Sequence, residues 1–78
     1  MKVKDYKEQI DSYLDYGNTI WFINDETKEI IALLWNKKTW YKEVFNKLGD
    51  CEVKHQTFRP LINDINLYIK TDVAPIME

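Results

Sequence analysis

The stretch 19-TIWFINDETKEIIALLW-35 decides how this chain can fold. Residues 19–23 are mostly β-branched or aromatic, which is typical of a strand. The polar residues 24–29 indicate a turn, and residues 30–35 form a second apolar run of strand length. The pattern predicts a β-hairpin in which Ile23 lies opposite Ile30 and Trp21 lies opposite Ala32.

This predicted hairpin carries large apolar side chains on both faces. One face has Trp21, Ile23, Ile30, Ala32 and Leu34, and the other has Ile20, Phe22, Ile31, Leu33 and Trp35. An isolated two-stranded ribbon is marginal in water, so helices must support it. If all helices pack on one face, about five large residues stay exposed on the other, and soluble monomers rarely expose such a patch. We therefore expect helices on both faces, or a second protein chain on one.

An alternative interpretation is one long helix over residues 25–48. Asn24 or Asp25 would cap it, and its apolar seam would contain Ile30, Leu33, Trp40 and Val44. Lys37 would interrupt that seam, and the segment 36-NKKT-39 has weak helix propensity. We prefer the hairpin.

Helices are predicted on both sides of the hairpin. Residues 3–16 place Val3, Tyr6, Ile10, Tyr13 and Leu14 at helical spacing before Gly17. In residues 39–48, Thr39 is a suitable N-cap, and Gly49 ends an apolar stripe of Trp40, Tyr41, Val44, Phe45 and Leu48.

The C-terminal third is predicted to contain a short edge strand and a third helix. Residues 51–55 alternate weakly, as an edge strand does. Residues 57–70 follow a helical period through Phe58, Leu61, Ile62, Ile65, Tyr68 and Ile69. Thr57 would cap that helix, with Pro60 in its first turn. Residues 72–78 are expected to fray.

These elements predict an α+β fold in the order α-β-β-α-(β)-α, with an antiparallel hairpin packed against three helices. Seventy-eight residues suffice for a single domain, 1–78. The charged N-terminus lacks the apolar region of a signal peptide, and the one cysteine cannot form an intrachain disulfide. We expect a soluble, cytoplasmic protein without a membrane partner.

The candidate catalytic and metal-binding residues do not form a recognisable set. Cys51 and His55 could be a nucleophile and its base, but no glycine-rich turn accompanies them. A structural zinc site requires four Cys or His ligands. The acidic pairs are interpreted as surface charges: Asp25 with Glu26, and Asp11 with Asp15. We assign no catalytic residue, no metal ligand and no cofactor, and expect a protein that is not an enzyme.

The composition favours a protein that binds another protein. Aromatic residues make up 14% of the chain, and Trp and Tyr are common anchors of protein interfaces. The candidate interface residues are Tyr16, Trp21, Ile23, Trp35 and Tyr68. The partner would be a host protein or a second copy of the chain in a homodimer.

The amino-acid composition indicates an AT-rich genome. Thirty-five residues are Phe, Tyr, Met, Ile, Asn or Lys, which have mostly AT-rich codons, whereas seven are Gly, Ala, Arg or Pro. We therefore expect an accessory protein of a phage or mobile element that modulates or inhibits a host protein, with anti-defence as one such role.

The alternative function is a nucleic-acid-binding regulator that uses residues 37–48. Lysines along an exposed helix face could contact phosphates, and an aromatic ring could stack on a base. The residues concerned are Lys37, Lys38, Trp40, Lys42 and Lys47. The formal net charge of −2 gives such binding no support from bulk charge.

Overall fold

A computed structural model describes residues 1–59 and 62–76 of the chain. In chain order the elements are α1 (Lys7–Asp15), β1 (Thr19–Asn24), β2 (Ile30–Leu34), α2 (Tyr41–Leu48), β3 (Glu52–Arg59) and β4 (Asp64–Lys70). A short 3₁₀ turn, Val3–Tyr6, precedes α1. The α+β class predicted from the sequence is confirmed. Within the described ranges, no helix has the length and apolar character needed to cross a membrane.

The four strands form one sheet in the order β2-β1-β4-β3. The outer pairs, β2 with β1 and β4 with β3, are antiparallel. The central pair, β1 with β4, is parallel, and Thr19 to Asn24 pair with Asp64 to Ile69 without a shift in register. The long-range central pairing therefore joins two local hairpins into one sheet.

The predicted hairpin is confirmed, with one change in its register. Ile23 pairs with Ile30 as expected, but Trp21 pairs with Leu33 instead of Ala32. The reason is a bulge at Ile31, an extra residue in β2 that shifts every later pair by one. The alternative of one long helix over residues 25–48 is wrong, because β2 and a bend over residues 35–40 occupy the first part of that range.

Both helices pack on one face of the sheet, which we call the helix face. It carries Ile20, Phe22, Ala32, Leu34, Ile65, Leu67 and Ile69, all of them buried. Ile10 and Leu14 of α1 and Val44 and Leu48 of α2 complete the same buried cluster. Ile31 is also fully buried, because the bulge gives β2 two successive core residues.

The predicted third helix is wrong. Residues 57–59 instead end β3 and residues 64–70 form β4, so the order is α-β-β-α-β-β with two α-helices in the described chain. The residues of β4 alternate: Ile65, Leu67 and Ile69 point to the helix face, and Asn66 and Tyr68 to the other side. Because β4 is bonded to strands on both sides, the strand satisfies its backbone groups as fully as a helix would.

Several smaller expectations for the same region are corrected as well. The predicted cap of the third helix, Thr57, lies within β3 and pairs with Asn66. Pro60 and Leu61 lie outside the described residues. The short edge strand predicted over residues 51–55 is longer, Glu52–Arg59. Asn63 has a φ of 54°, the left-handed conformation that asparagine tolerates in turns.

The predicted ends of the two confirmed helices differ in accuracy. Gly17 ends the first helical segment with a φ of 83°, as expected. The second helix begins at Tyr41 instead of Thr39. The side-chain oxygen of Asn36 accepts the backbone N–H groups of residues 38 and 39, both at 2.7 Å, which holds Thr39 in a turn. Trp40 follows with a left-handed φ of 60°.

Residues 72–76, for which we expected fraying, lie against the folded chain. Val73 and Ile76 pack on the buried cluster. The backbone N–H of Ile76 donates to the carbonyl of Ile31 at 2.8 Å, on the outer edge of β2. The terminal residues 77–78 lie outside the described residues.

Neighbouring residues of β1 give a direct test of one-sided burial. Phe22 is fully buried, so Phe22→Ala should cost about 3–5 kcal/mol. A domain of this size has a stability of about 3–5 kcal/mol, so this variant should be largely unfolded. Ile23 is only partly buried on the other face, and Ile23→Ala should cost about 1 kcal/mol. Urea denaturation followed by circular dichroism measures both, and equal losses would contradict one-sided burial.

Candidate functional site

The face of the sheet opposite the helices is the candidate functional surface, and we call it the open face. Its side chains alternate along each strand with those of the helix face. They are Thr19, Trp21 and Ile23 of β1, Ile30 and Leu33 of β2, Asp64, Asn66 and Tyr68 of β4, and His55, Thr57 and Arg59 of β3. None of the apolar side chains among them belongs to the buried cluster under the helices.

Five of these side chains form a contiguous apolar area. Ile23 pairs with Ile30 on one side and with Tyr68 on the other. Trp21 pairs with Leu33, so the area extends over β2, β1 and β4. Ile30 is 43% exposed, and the other four are partly buried by their neighbours in the sheet. We call these five residues the apolar strip.

Trp21 is held in place by a polar contact from the next strand. Its indole Nε1–H donates to Asp64 Oδ2 at 2.9 Å. Asp64 is only 9% exposed, so this hydrogen bond supplies a partner for a carboxylate that is mostly removed from water. The contact fixes the orientation of the indole ring while part of its surface remains exposed.

Tyr68 is held by two side chains, which a third residue connects. The His55 ring stacks on it with centroids 4.2 Å apart and planes 6° from parallel. Lys28 Nζ lies 5.2 Å from the Tyr68 ring centroid, within the range of a cation–π interaction. Asp25 Oδ1 joins the two supporting residues, at 3.1 Å from His55 Nε2 and 3.3 Å from Lys28 Nζ. The turn after β1 is thereby connected to β3 and β4.

The position of Asp25 lowers the pKa of its carboxyl group. Partial burial acts to raise that pKa, but hydrogen bonds from Lys28 and His55 outweigh this effect and lower it below its ordinary value of 3.8. The ionised form of Asp25 is therefore the one that supports His55 and Lys28 around Tyr68.

The structure brings together three of the five interface residues predicted from the sequence. Trp21, Ile23 and Tyr68 are neighbours on the open face. Tyr16 is 84% exposed but follows the last turn of α1, in the helix layer. Trp35 lies one residue beyond β2 and is 42% exposed, with its ring edge against Trp40 at a centroid distance of 5.5 Å.

Sequence reasoning missed several residues of this surface. Leu33 was expected on the opposite face, because the bulge at Ile31 has no obvious local signal. Asp64 was not singled out, although the alternation of 64-DINLYIK-70 could have identified it as the polar neighbour of a strand. His55 was considered only beside Cys51.

Cys51 and His55 make different contacts. The thiol of Cys51 donates to Thr71 Oγ1 at 3.4 Å, whereas His55 contacts Asp25 and Tyr68. A β-bulge between Val53 and His55 interrupts the regular alternation that would have related the cysteine to the histidine.

The lysines of the alternative nucleic-acid site are partly neutralised by carboxylates. Lys37 lies 2.9 Å from Asp15 and Lys47 lies 3.2 Å from Glu43, while Lys38 and Lys42 are exposed. Trp40 packs against the buried cluster, so its ring is already in contact with the protein. Lys37, Lys38, Trp40 and Lys42 nevertheless line one shallow concave surface.

The acidic pair of α1 also has structural partners. Asp11 accepts hydrogen bonds from Tyr41 and from Lys7, the latter at 2.9 Å. Burial acts to raise the pKa of Asp11, but the bonds from Tyr41 and Lys7 outweigh it and lower that pKa. Asp11 and Asp15 therefore connect α1 to α2 and to the segment before it.

The pKa of Asp25 predicts how stability depends on pH. A carboxyl whose pKa is lower in the folded chain stabilises it above the unfolded pKa, and this contribution is lost as pH falls through the folded pKa. Between about pH 5 and about pH 2, the wild type should therefore lose stability more steeply than Asp25→Asn. Thermal denaturation across this range measures the slopes. Glu26→Gln, one residue along the same turn, is the matched control, and identical slopes for wild type and Asp25→Asn would contradict the proposed contacts.

Comparisons with protein-family models, with curated proteins and with solved structures found no significant match.

Proposed function

We propose that this chain is a small protein-binding module that uses its open face to bind another protein. The observation that carries the proposal is the apolar strip, a row of apolar and aromatic side chains on the sheet face opposite both helices. Burying such surface against a partner removes it from water, which is the main driving force of protein association.

The chemistry of the open face matches the usual anatomy of an interface. Such interfaces combine an apolar centre with a polar margin, and Trp, Tyr and Arg are enriched at their anchors. Here the apolar strip adjoins the exposed polar side chains of β3, among them Thr57 and Arg59. A partner could therefore combine apolar contacts with hydrogen bonds along one border.

The two aromatic residues of the strip are preorganised for binding. Trp21 is oriented by Asp64, and Tyr68 is oriented by the stacked ring of His55. Side chains that are already ordered lose little conformational entropy on binding, so more of the contact energy appears as affinity.

The partner is a different protein and not a second copy bound through this face alone. Four strands spaced about 4.8 Å apart, each about 20 Å long, give a face of about 400 Å². Two such faces together have a projected area of about 800 Å², so this face alone would give a small interface beside the roughly 1,200 Å² or more of accessible surface that stable specific interfaces bury. A larger partner could contact the rim of the sheet as well.

Composition supports a source in a phage or mobile element. Residues with mostly AT-rich codons far outnumber those with GC-rich codons, and small accessory proteins of such elements commonly act by binding host proteins. We infer that the protein modulates or inhibits a host target, for which anti-defence is one possible setting.

Replacing Trp21 tests the proposal directly. Trp21→Ala should remain folded and should weaken capture of the partner at least tenfold, because truncating an interface tryptophan typically costs about 2 kcal/mol or more. The measurement is a tagged pull-down from the native host, quantified by mass spectrometry, with circular dichroism to check folding. Tyr16→Ala removes a more exposed aromatic outside the open face and is the matched control.

A second variant keeps this test decisive if Trp21→Ala does not fold. Ile30→Glu places a charge on the most exposed member of the apolar strip and should abolish capture in a folded chain. If both folded variants retain the same proteins as the wild type, or if the wild type retains none, the proposed function is wrong.

Nucleic-acid regulation remains the second candidate, because three lysines line one concave surface beside Trp40. Changing Lys37, Lys38 and Lys42 to Glu should abolish DNA binding under this alternative and leave protein capture unchanged under the main proposal. A mobility-shift assay at low salt with duplex and single-stranded DNA separates them, and no shift by the wild type at high micromolar concentration rejects the alternative.

A further inference from the structure

The outer edge of β3 is a second surface, distinct from the open face. β3 is the last strand in the sheet order, and among the described residues its outer side is bridged only at Glu52, by Lys2. All residues from 54 to 59 are exposed, which is unusual for a strand joined to a buried neighbour. We call the outer backbone edge of residues 54–59 the free edge.

The register shows which backbone groups point to the free edge. The carbonyl of Ile69 accepts a hydrogen bond at 2.9 Å from the backbone N–H just after β1, so Ile69 directs its backbone groups to β1 and away from β3. Leu67 and Ile65, two and four residues earlier, do the same by alternation. Their partners on β3 are Gln56 and Phe58, whose N–H and C=O groups therefore point outward.

The chain itself demonstrates that this side of β3 accepts an extended backbone. The N–H of Val53 donates to the carbonyl of Met1 at 2.7 Å, and the N–H of Val3 donates to the carbonyl of Cys51 at 3.0 Å. An antiparallel bridge joins Lys2 and Glu52 between them. Residues 1–3 thus pair with the beginning of β3, and Gln56 and Phe58 lie further along the same edge, past the bulge.

The side chains of the free edge define the chemistry of its occupant. Lys54 and Arg59 are basic, and no acidic residue lies between 54 and 59, although Glu52 lies 3.9 Å from Lys54. Phe58 is 56% exposed and offers an apolar contact on the helix side. A segment that alternates acidic with apolar residues would meet complementary side chains on both of its faces.

We propose that the free edge of β3 binds an extended acidic segment of another protein, which adds to the sheet as a fifth strand. The outward groups of Gln56 and Phe58 supply the backbone hydrogen bonds, and Lys54 and Arg59 supply the preference for acid. This proposal uses the backbone edge of β3 and not the apolar strip, and Arg59 is the residue that it shares with the polar margin of the open face.

A second copy of the chain is a poorer occupant. Antiparallel pairing of two free edges about a twofold axis at Thr57 would set His55 of each copy opposite Arg59 of the other. It would also bring Lys54 and Arg59 of both copies, four cations in all, onto two neighbouring strands, and nearby like charges disfavour such pairing. An acidic strand avoids this repulsion.

The test uses two capped heptapeptides of alternating sequence, one with Glu and Val and one with Lys and Val. In a titration followed by ¹H–¹⁵N correlation spectra, the Glu peptide should shift the amides of Gln56 and Phe58. The Lys peptide should bind at least tenfold more weakly. Lys54→Glu should reduce the affinity for the Glu peptide at least threefold. Lys42→Glu, the same charge change on α2, should leave that affinity unchanged.

Two further variants test the backbone contacts. Gln56→Pro removes an outward N–H at an edge position where proline is tolerated, and should reduce Glu-peptide affinity at least tenfold. If that variant does not fold, a Glu peptide carrying backbone N-methyl groups should fail to bind the wild type. The proposal is overturned if neither peptide shifts residues 56–58, if both bind equally, or if these changes leave affinity unaltered. It is also overturned if light scattering shows a wild-type dimer that Gln56→Pro dissociates, because the occupant is then a second copy.

Discussion

Two short helices cover one face of a four-stranded sheet, and this one-sided burial determines most of the remaining features of the chain. At about 1.5 Å per residue, α1 and α2 are about 14 and 12 Å long, while the sheet is about 19 Å wide. The helices bury the side chains of the helix face and leave nothing of comparable size for the other side within the described ranges. The open face must therefore be tolerated in water or covered by another molecule.

The open face is compatible with water because polar side chains lie next to its apolar ones. Asp64 accepts a hydrogen bond from the indole N–H of Trp21, and Asp25 holds His55 against Tyr68. These contacts satisfy the carboxylates and also order the aromatic rings. The same side chains thus limit the exposed apolar area of the free chain and prepare it for a partner. This dual role is the physical reason for placing the proposed function on this face.

Local features of the fold could be predicted from the sequence, and long-range ones could not. Strand propensity and the polar turn identified the hairpin, and apolar spacing before Gly17 and Gly49 identified both helices. The large apolar residues on both faces of the hairpin indicated that its second face would be exposed or covered by another element.

The spacing of Phe58, Ile62, Ile65 and Ile69 fits a helix as well as part of a hairpin, so the apolar spacing alone led to the wrong prediction of a helix. The parallel pairing of β1 with β4 resolves that choice, and it joins residues about 45 positions apart that no local pattern relates. The same pairing brings Asp64 next to Trp21. The sequence could therefore identify Trp21, Ile23 and Tyr68 as single candidate residues, but it could not predict the hydrogen bond from Trp21 to Asp64.

The most direct test of the central claim compares the accessibility of the open face in isolation and in the cell. Hydroxyl-radical footprinting read by mass spectrometry would measure the oxidation rates of Trp21 and Tyr68 in the purified chain and in cells that naturally produce it. We expect ready oxidation of both residues in the purified chain, strong protection in cells, and little change at Tyr16. Equal rates in the two settings would contradict a partner on the open face, and protection already present in the purified monomer would contradict the existence of the open face itself.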